Sequence, residues 1–111
     1  VSLSNGEDIL RHYKSHELPI PEKIYGWEYP EHQRKPNTFP VDDIIRNFGF
    51  NKSEMVMVDD LKPGKLMADS SGIDFISAAW AYEIKEIQDD MKRTSKYFCS
   101  NVEDLRAFLF L

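Results

Sequence analysis

The sequence predicts an α/β fold, a Rossmann-like parallel sheet with helices on both faces in three layers. Short apolar runs typical of strands alternate along the chain with segments that carry apolar residues on one helical face. The clearest run, residues 55–58, is uninterrupted and bounded by polar residues, as in a strand buried on both faces of a parallel sheet. Together these patterns favour strand–helix–strand units over an all-helical or all-β arrangement.

The first half of the chain contains two predicted helices and two short predicted strands. Residues 1–4 alternate apolar and polar side chains and predict the end of a strand. Ser4 and Glu7 have the spacing of a capping box, which predicts a helix over 6–16. A short buried strand over 23–26 and a proline-interrupted loop over 27–39 follow. The second helix, over 40–48, has Pro40 in its first turn and Gly49 as its C-terminal cap.

The second half repeats the strand–helix alternation. After the strand at 55–58, Pro63 and Gly64 predict a turn, and a short helix begins near Leu66 and stops at Gly72. A strand over 73–79 leads to a helix whose core face is Ile84, Ile87 and Met91. Residues 97–99 predict a last strand, and Ser100 with Glu103 predicts another capping box before a final helix.

Size and charge limit the class of protein. The chain has 111 residues, 41% of them hydrophobic, which predicts one domain with a core of its own. Its net charge of −5, without a block of lysines or arginines, disfavours nucleic acids and anionic membranes as partners. The single cysteine, the absence of a leader pattern and the absence of an apolar run of about 20 residues predict a cytoplasmic protein.

Three polar features are expected at the carboxyl ends of the strands, where ligands of parallel sheets bind. Ser4, Asn5 and Gly6 offer a hydroxyl and backbone N–H groups that can hold an anion, or else form a plain helix cap. Lys35, on the long loop, supplies a cation or is a solvated surface lysine.

The third feature is the pair Asp59 and Asp60, directly after the apolar strand. Adjacent carboxylates repel each other, and partial burial adds to the cost of their charge, so a bound cation is a natural compensation. Structural turn carboxylates are the alternative, because aspartate is common in turns. Taken together, a hydroxyl with backbone donors, an ammonium and a site for a hard metal indicate a phosphate clamp.

The order of these motifs resembles that of the haloacid dehalogenase-like hydrolases. The resemblance is carried by Val-Ser-Leu-Ser-Asn-Gly at residues 1–6, Lys-Pro at 35–36 and Met-Val-Met-Val-Asp-Asp-Leu-Lys-Pro-Gly at 55–64, followed by Gly-Ile-Asp-Phe at 72–75. It covers nearly the whole chain. The stretch 59–64 is similar to the Glu-Asp-Ser-x-x-Gly form of β-phosphoglucomutase-like members.

The resemblance implies a role for each of the matching residues. Ser4 would hydrogen-bond the transferring phosphoryl group, with Asn5 and Gly6 beside it. Lys35 would neutralise the nucleophile and the phosphoryl oxygens. Asp60 would be the principal Mg²⁺ ligand and Asp59 its acidic neighbour, directly or through water. The lysine and the paired acids suit metal-dependent phosphoryl transfer better than metal-free dehalogenation.

The sequence departs from this family at one motif. The family's first motif, Asp-x-Asp, supplies the nucleophile and the general acid/base, and no Asp-x-Asp occurs in the 111 residues. The helical cap domain is missing too. Residues 1–111 are therefore expected to be the carboxy-terminal portion of one such core domain, and a chain that begins at Val1 looks cut from something longer. In the family's sheet order, the lost strand lies between those ending at Ser4 and Asp60.

Two functions follow from the resemblance. The first is part of a Mg²⁺-dependent phosphatase that hydrolyses a small phosphate ester through an aspartyl-phosphate, with the nucleophile outside this chain and no activity expected of the chain alone. Its partner would be the missing amino-terminal segment or another copy of the chain. The alternative is a non-catalytic module that binds phosphate and metal, or serves assembly.

Several other residues have both a functional and a structural explanation. A receiver domain also begins with a strand ending in paired acids, but the 51 residues after Asp60 are too few for the rest of that domain. His12 and His16 are expected to be exposed helix histidines without a third metal ligand, and Cys99 a small buried hydrophobe. Several aromatic residues would either line a substrate entrance or pack against the sheet: Tyr25, Trp27, Tyr29, Trp80 and Tyr82.

Overall fold

The computed structural model describes residues 1–81 and 83–110, with three strands and five α-helices among them. The strands are β1 (Val56–Asp59), β2 (Asp74–Ala78) and β3 (Tyr97–Cys99). The helices are α1 (Gly6–Ser15), α2 (Phe39–Phe48), α3 (Lys62–Ser71), α4 (Lys85–Thr94) and α5 (Val102–Phe110). Short 3₁₀ turns cover Glu31–Gln33, Lys52–Glu54 and Ala79–Ala81. None of the helices in these two ranges has the length and apolar character needed to cross a membrane.

The three strands form one parallel sheet in the order β1-β2-β3. Phe75 lies opposite Met57 on one side, and Ser77 lies opposite Phe98 on the other. The helices α3 and α4 connect consecutive strands, as parallel pairing requires. The predicted parallel α/β arrangement is therefore confirmed.

The two faces of the sheet carry different layers. On one face, Phe75 packs with Val41 of α2, Met67 of α3 and Met91 of α4 in the hydrophobic core, against which Phe98 also packs. Since side chains alternate along a strand, Tyr97 points to the opposite face, where its ring lies 4.5 Å from that of Phe108 in α5. Helices thus lie on both faces, consistent with a Rossmann-like layout.

Strand β1 is less buried than predicted. Met55 and Met57 pack against the core, but Val56 and Val58 are 41% and 36% exposed. In the described part of the chain β1 has one neighbouring strand, so its outer edge and one of its faces remain open. The prediction of a strand buried on both faces is therefore wrong.

The strands predicted at residues 1–4 and 23–26 do not form. Two backbone hydrogen bonds join these segments, from the Ser2 N–H to the Tyr25 carbonyl and from the Trp27 N–H to the Ser4 carbonyl, each 2.9 Å long. They do not continue into a ladder, and neither segment belongs to the sheet. Alternating residues make a strand only where a neighbouring strand pairs with them.

Helix boundaries follow the prediction with small shifts at the caps. Asn5, not Ser4, caps α1 by accepting a 2.8 Å hydrogen bond from the Glu7 N–H, and Asn101, not Ser100, caps α5 in the same way. Pro63 lies in the first turn of α3, not in a turn before it, since a proline has no N–H to lose there. Gly49 and Gly72 end α2 and α3 in the left-handed conformation, as predicted.

Candidate functional site

A buried ion pair lies at the carboxyl end of β1. Lys35 Nζ donates a 2.6 Å hydrogen bond to Oδ2 of Asp59, and the two side chains are 11% and 10% exposed. A lysine and an aspartate are rarely buried to this degree unless they are paired. The structure thus brings together two of the residues that the sequence singled out.

Besides its ion pair with β1, the part of the chain that leads to Lys35 makes a polar contact with α2. The Tyr25 hydroxyl donates a 2.6 Å hydrogen bond to Oδ2 of Asp43, and Arg46 pairs with the other oxygen of that carboxylate. Burial and the bond to Asp43 raise the pKa of Tyr25 well above its usual value. The Tyr25 ring also contacts those of Tyr29 and Phe39. The loop therefore reaches Asp59 from a fixed base.

Three groups position the Asp59 carboxylate. Lys35 binds Oδ2, the Asp60 N–H donates a 2.8 Å hydrogen bond to Oδ1, and Gly64 leaves room for the side chain. A Cβ atom at Gly64 would lie 2.0 Å from Asp59 Oδ2, closer than atoms can approach. Gly64 was predicted as a turn residue, but its function in the fold is this close approach.

The two acids differ in electrostatic environment. Burial alone would raise the pKa of Asp59, but hydrogen bonds from Asp60 and Lys35 outweigh it and hold that pKa below its usual value. Burial, together with the neighbouring Asp59 carboxyl, raises the pKa of Asp60. Asp59 is the stable anion of the pair, whereas Asp60 gains most from a nearby positive charge.

Asp60 borders a small cavity between the end of β2 and α4. The cavity has a volume of about 10 Å³ and is lined in part by Asp60, Ser77 and Met91. That volume is close to what one water molecule needs. The hydroxyl of Ser77, a residue that is 1% exposed, has no hydrogen-bond partner among the described residues. No sequence pattern had marked Ser77.

Two of the three backbone donors predicted at Ser4, Asn5 and Gly6 have partners within the chain. The Gly6 N–H donates a 2.8 Å hydrogen bond to Oε2 of Glu28, and the Ser4 N–H donates to the Ser2 hydroxyl. A carboxylate thus occupies the position at the N-terminus of α1 where an external anion would bind. Glu28 lies 22 residues away in sequence, and no local pattern indicates this contact.

The first segment nevertheless lies beside the ion pair. Leu3, the residue before Ser4, lines the same groove as Lys35 and Pro63. Pro63 follows the paired acids by three residues, so this groove joins the first segment to the end of β1. Neither Ser4 nor the two acids line this groove, so the convergence of the amino-terminal hydroxyl, the lysine and the acids stays a prediction.

Oxygen ligands for a metal are present but few. Residues 1–81 and 83–110 contain no group of three or more histidine, cysteine, aspartate or glutamate side chains that could hold a metal ion. Mg²⁺ is commonly held by one or two carboxylates and completes its shell with water and substrate oxygens. Asp59 and Asp60 fit that requirement, with Asp60 the better donor because Lys35 binds Asp59.

The remaining candidates are mostly structural. His12 on α1 and His16 directly after that helix are exposed, and Cys99 is buried at 5% exposure, as predicted. Tyr25 and Tyr29 pack with Phe39, and Tyr82 lies outside the described residues. Trp27 is 55% exposed and remains available to a ligand.

Comparison with protein-family models, with curated proteins and with solved structures found no match to this chain. The chemistry of Lys35, Asp59 and Asp60 is therefore the basis for assigning a function.

Proposed function

We propose that this chain is the phosphate- and magnesium-binding part of a phosphatase that resembles the haloacid dehalogenase-like hydrolases. The observation that carries the proposal is the buried pair of Lys35 and Asp59 at the carboxyl end of β1, with Asp60 beside it. The negatively charged oxygens of a phosphate ester need positive groups around them. Lys35 would be one such group, and a metal ion bound by the acids would be the other.

Each residue has a distinct task in this proposal. Asp60, with Asp59, would hold Mg²⁺, which screens the charge on the phosphoryl oxygens. The Lys35 ammonium would bind a phosphoryl oxygen, while Asp59 holds that ammonium in position. The Ser4 hydroxyl would donate to another phosphoryl oxygen. These groups bind and orient phosphate but do not attack it.

The nucleophile would come from a strand that pairs with the open edge of β1. A parallel strand at that edge would end beside Asp59, and its side chains would cover the exposed Val56 and Val58. The first aspartate of an Asp-x-Asp motif at its end would attack phosphorus as the bond to the ester oxygen breaks. The second, as the protonated acid, would give its proton to the departing alkoxide, which leaves as the alcohol. Water would then release inorganic phosphate and restore the carboxylate.

That strand would come from an amino-terminal segment of a longer protein, because a second copy of this chain has the same sequence and no Asp-x-Asp motif. In a protein that includes the aspartyl nucleophile, Lys35→Ala should lower turnover by about 10² to 10³, the usual cost of losing one such electrostatic contact. The 111 residues alone should not hydrolyse p-nitrophenyl phosphate with Mg²⁺. Robust turnover by the chain alone would show that another group acts as nucleophile.

Binding of inorganic phosphate to the 111-residue chain tests the proposal directly. Calorimetric titration with Mg²⁺ present should give saturable binding. Binding should weaken about tenfold in Lys35→Met and in Asp60→Asn, because each change removes one charge that the site needs. Lys14→Met, on the exposed surface of α1, is the control that should bind like wild type. Equal binding by all four proteins, or none by the wild type, would contradict the proposal.

A non-catalytic role is the second candidate, and the lack of any Asp-x-Asp motif favours it. A chain with Lys35 and the paired acids alone would bind phosphate and Mg²⁺ without forming an aspartyl-phosphate. The sequence upstream of Val1 in the gene separates the two. An apolar strand ending in Asp-x-Asp supports the enzyme, and a start codon next to Val1 supports the binding module.

A further inference from the structure

A groove of about 330 Å³ opens beside Lys35. Trp27, Arg34, Lys35 and Pro36 contribute from the long loop, Leu3 from the first segment and Pro63 from the start of α3. Its volume is at the lower end of the range for small-molecule sites. Lys35, which pairs with Asp59, therefore forms part of the wall of this groove.

The groove contains a flat aromatic surface held in place by a cation. The Arg34 guanidinium stacks on the Trp27 ring with its central carbon 3.6 Å from the ring centroid, and the Trp27 residue is 55% exposed. Arg34 forms no ion pair with another described residue. A planar ligand ring can stack on an exposed face of an indole, and a guanidinium over such a ring adds a cation to the same surface.

Trp27 is less covered by packing than its aromatic neighbours in the same part of the chain. Tyr25 and Tyr29 make ring contacts with each other and with Phe39, and they anchor the loop. Within the described residues, the Trp27 ring has no aromatic partner, and its contact is with Arg34. Packing therefore accounts for the tyrosines but leaves much of the Trp27 surface uncovered.

We infer that this groove binds the leaving group of the phosphate ester and favours planar aromatic leaving groups, such as those of aryl phosphates. The inference rests on the proposed phosphate site at Lys35, and it adds the substrate class. The phosphate would sit at Lys35, and the ring would stack on Trp27 and Arg34 beside Pro36 and Pro63. Glu31 also lines the groove and disfavours leaving groups that carry further negative charge.

Two esters of equal phosphate charge test the inference on the 111-residue chain with Mg²⁺. Phenyl phosphate should bind about fivefold tighter than glycerol 3-phosphate, because a stacked ring adds to the affinity of the ester. The preference should disappear in Trp27→Leu and persist in Trp27→Phe, which keeps an aromatic face. Trp80→Leu, which changes the other tryptophan, should keep the preference. Circular dichroism establishes that each variant is folded.

A fluorescence titration tests whether the ring of phenyl phosphate binds next to Trp27. In Trp80→Phe, Trp27 is the sole tryptophan, and phenyl phosphate should change its emission at the concentrations that give binding, whereas inorganic phosphate should change it less. Equal affinity for the two esters, with inorganic phosphate still bound, would overturn the aromatic groove and leave the phosphate site standing. No binding of inorganic phosphate or of either ester would overturn both. A preference that survives in a folded Trp27→Leu would also overturn the assignment to Trp27.

Discussion

Lys35 and Asp59, 24 residues apart in sequence, form a 2.6 Å hydrogen-bonded ion pair in which both side chains are about nine-tenths buried. The pair joins the long loop to the end of β1. It therefore fixes the loop against that strand and also holds charge where the proposed phosphate would bind. Removing either Lys35 or Asp59 should therefore change both the stability of the protein and its binding of phosphate.

Lys35→Met should lower the free energy of unfolding by about 3 to 5 kcal/mol, the usual cost of leaving a buried charge without its partner. Chemical denaturation at pH 7 measures it. The double variant Lys35→Met, Asp59→Leu removes both charges and should recover much of the loss. If the single variant is as stable as wild type, the two side chains are not paired in solution.

Asp60→Asn should stabilise the protein at pH 7 in the absence of metal. The pKa of Asp60 is raised in the folded state by burial and by Asp59, so its charged form opposes folding at pH values above that pKa. The gain in the free energy of unfolding should shrink as the pH falls through the raised pKa. It should vanish below the pKa of the unfolded state, about 3.9. Thermal melts across pH 3 to 8 measure the difference (~0.5 pH steps suffice).

Asp59→Asn should have the opposite effect on the free energy of unfolding at pH 7. The pKa of Asp59 is lowered in the folded state, so its charged form contributes stability that is present above the unfolded pKa and is lost as the pH falls through the folded one. The variant should therefore be less stable than wild type at pH 7 and approach it in strong acid. The same pH-dependent melts check it, and a uniform loss at every pH would contradict the electrostatic cause.

Gly64→Ala should displace the Asp59 side chain, because the new Cβ would lie 2.0 Å from Oδ2. We expect a loss of roughly 1–3 kcal/mol in unfolding free energy, as for other overpacked sites, together with weaker phosphate binding. In an Asp59→Gly background, which lacks every Asp59 atom that the new Cβ would meet, Gly64→Ala should cost much less. Gly49→Ala, which meets no atom within 4 Å, is the control: it should lower stability through its left-handed backbone but leave phosphate binding unchanged.

Glu28→Gln should strengthen binding of inorganic phosphate by about threefold, since it removes a negative charge that competes for the N-terminus of α1. The glutamine can still accept the hydrogen bond from Gly6, so the loop should keep its position. Calorimetric titration with Mg²⁺ measures the change, and Glu22→Gln, on the exposed surface, is the matched control. Unchanged binding in Glu28→Gln would place the phosphate away from this helix end.

The short-range features of the fold could be read from the sequence. The periodicity of apolar residues predicted α1, α2 and α4 and the strands β1, β2 and β3, and Gly49 and Gly72 marked two helix ends. These features depend on neighbours within a few positions. The caps shifted by one residue because Ser4 and Asn5, like Ser100 and Asn101, are both able to cap, and backbone geometry selects between them.

The sequence by itself determined an α/β protein with a lysine and two acids as candidate site residues, because apolar spacing and strand-terminal polar residues are local patterns. The tertiary structure decided that Lys35 pairs with Asp59, that Glu28 takes the Gly6 N–H, that Gly64 makes room for Asp59, and that β1 lies at an open edge. Each of these depends on segments that meet only after folding. The energies that select such contacts, burial and charge pairing, arise from neighbours in space and leave no periodic trace in the chain.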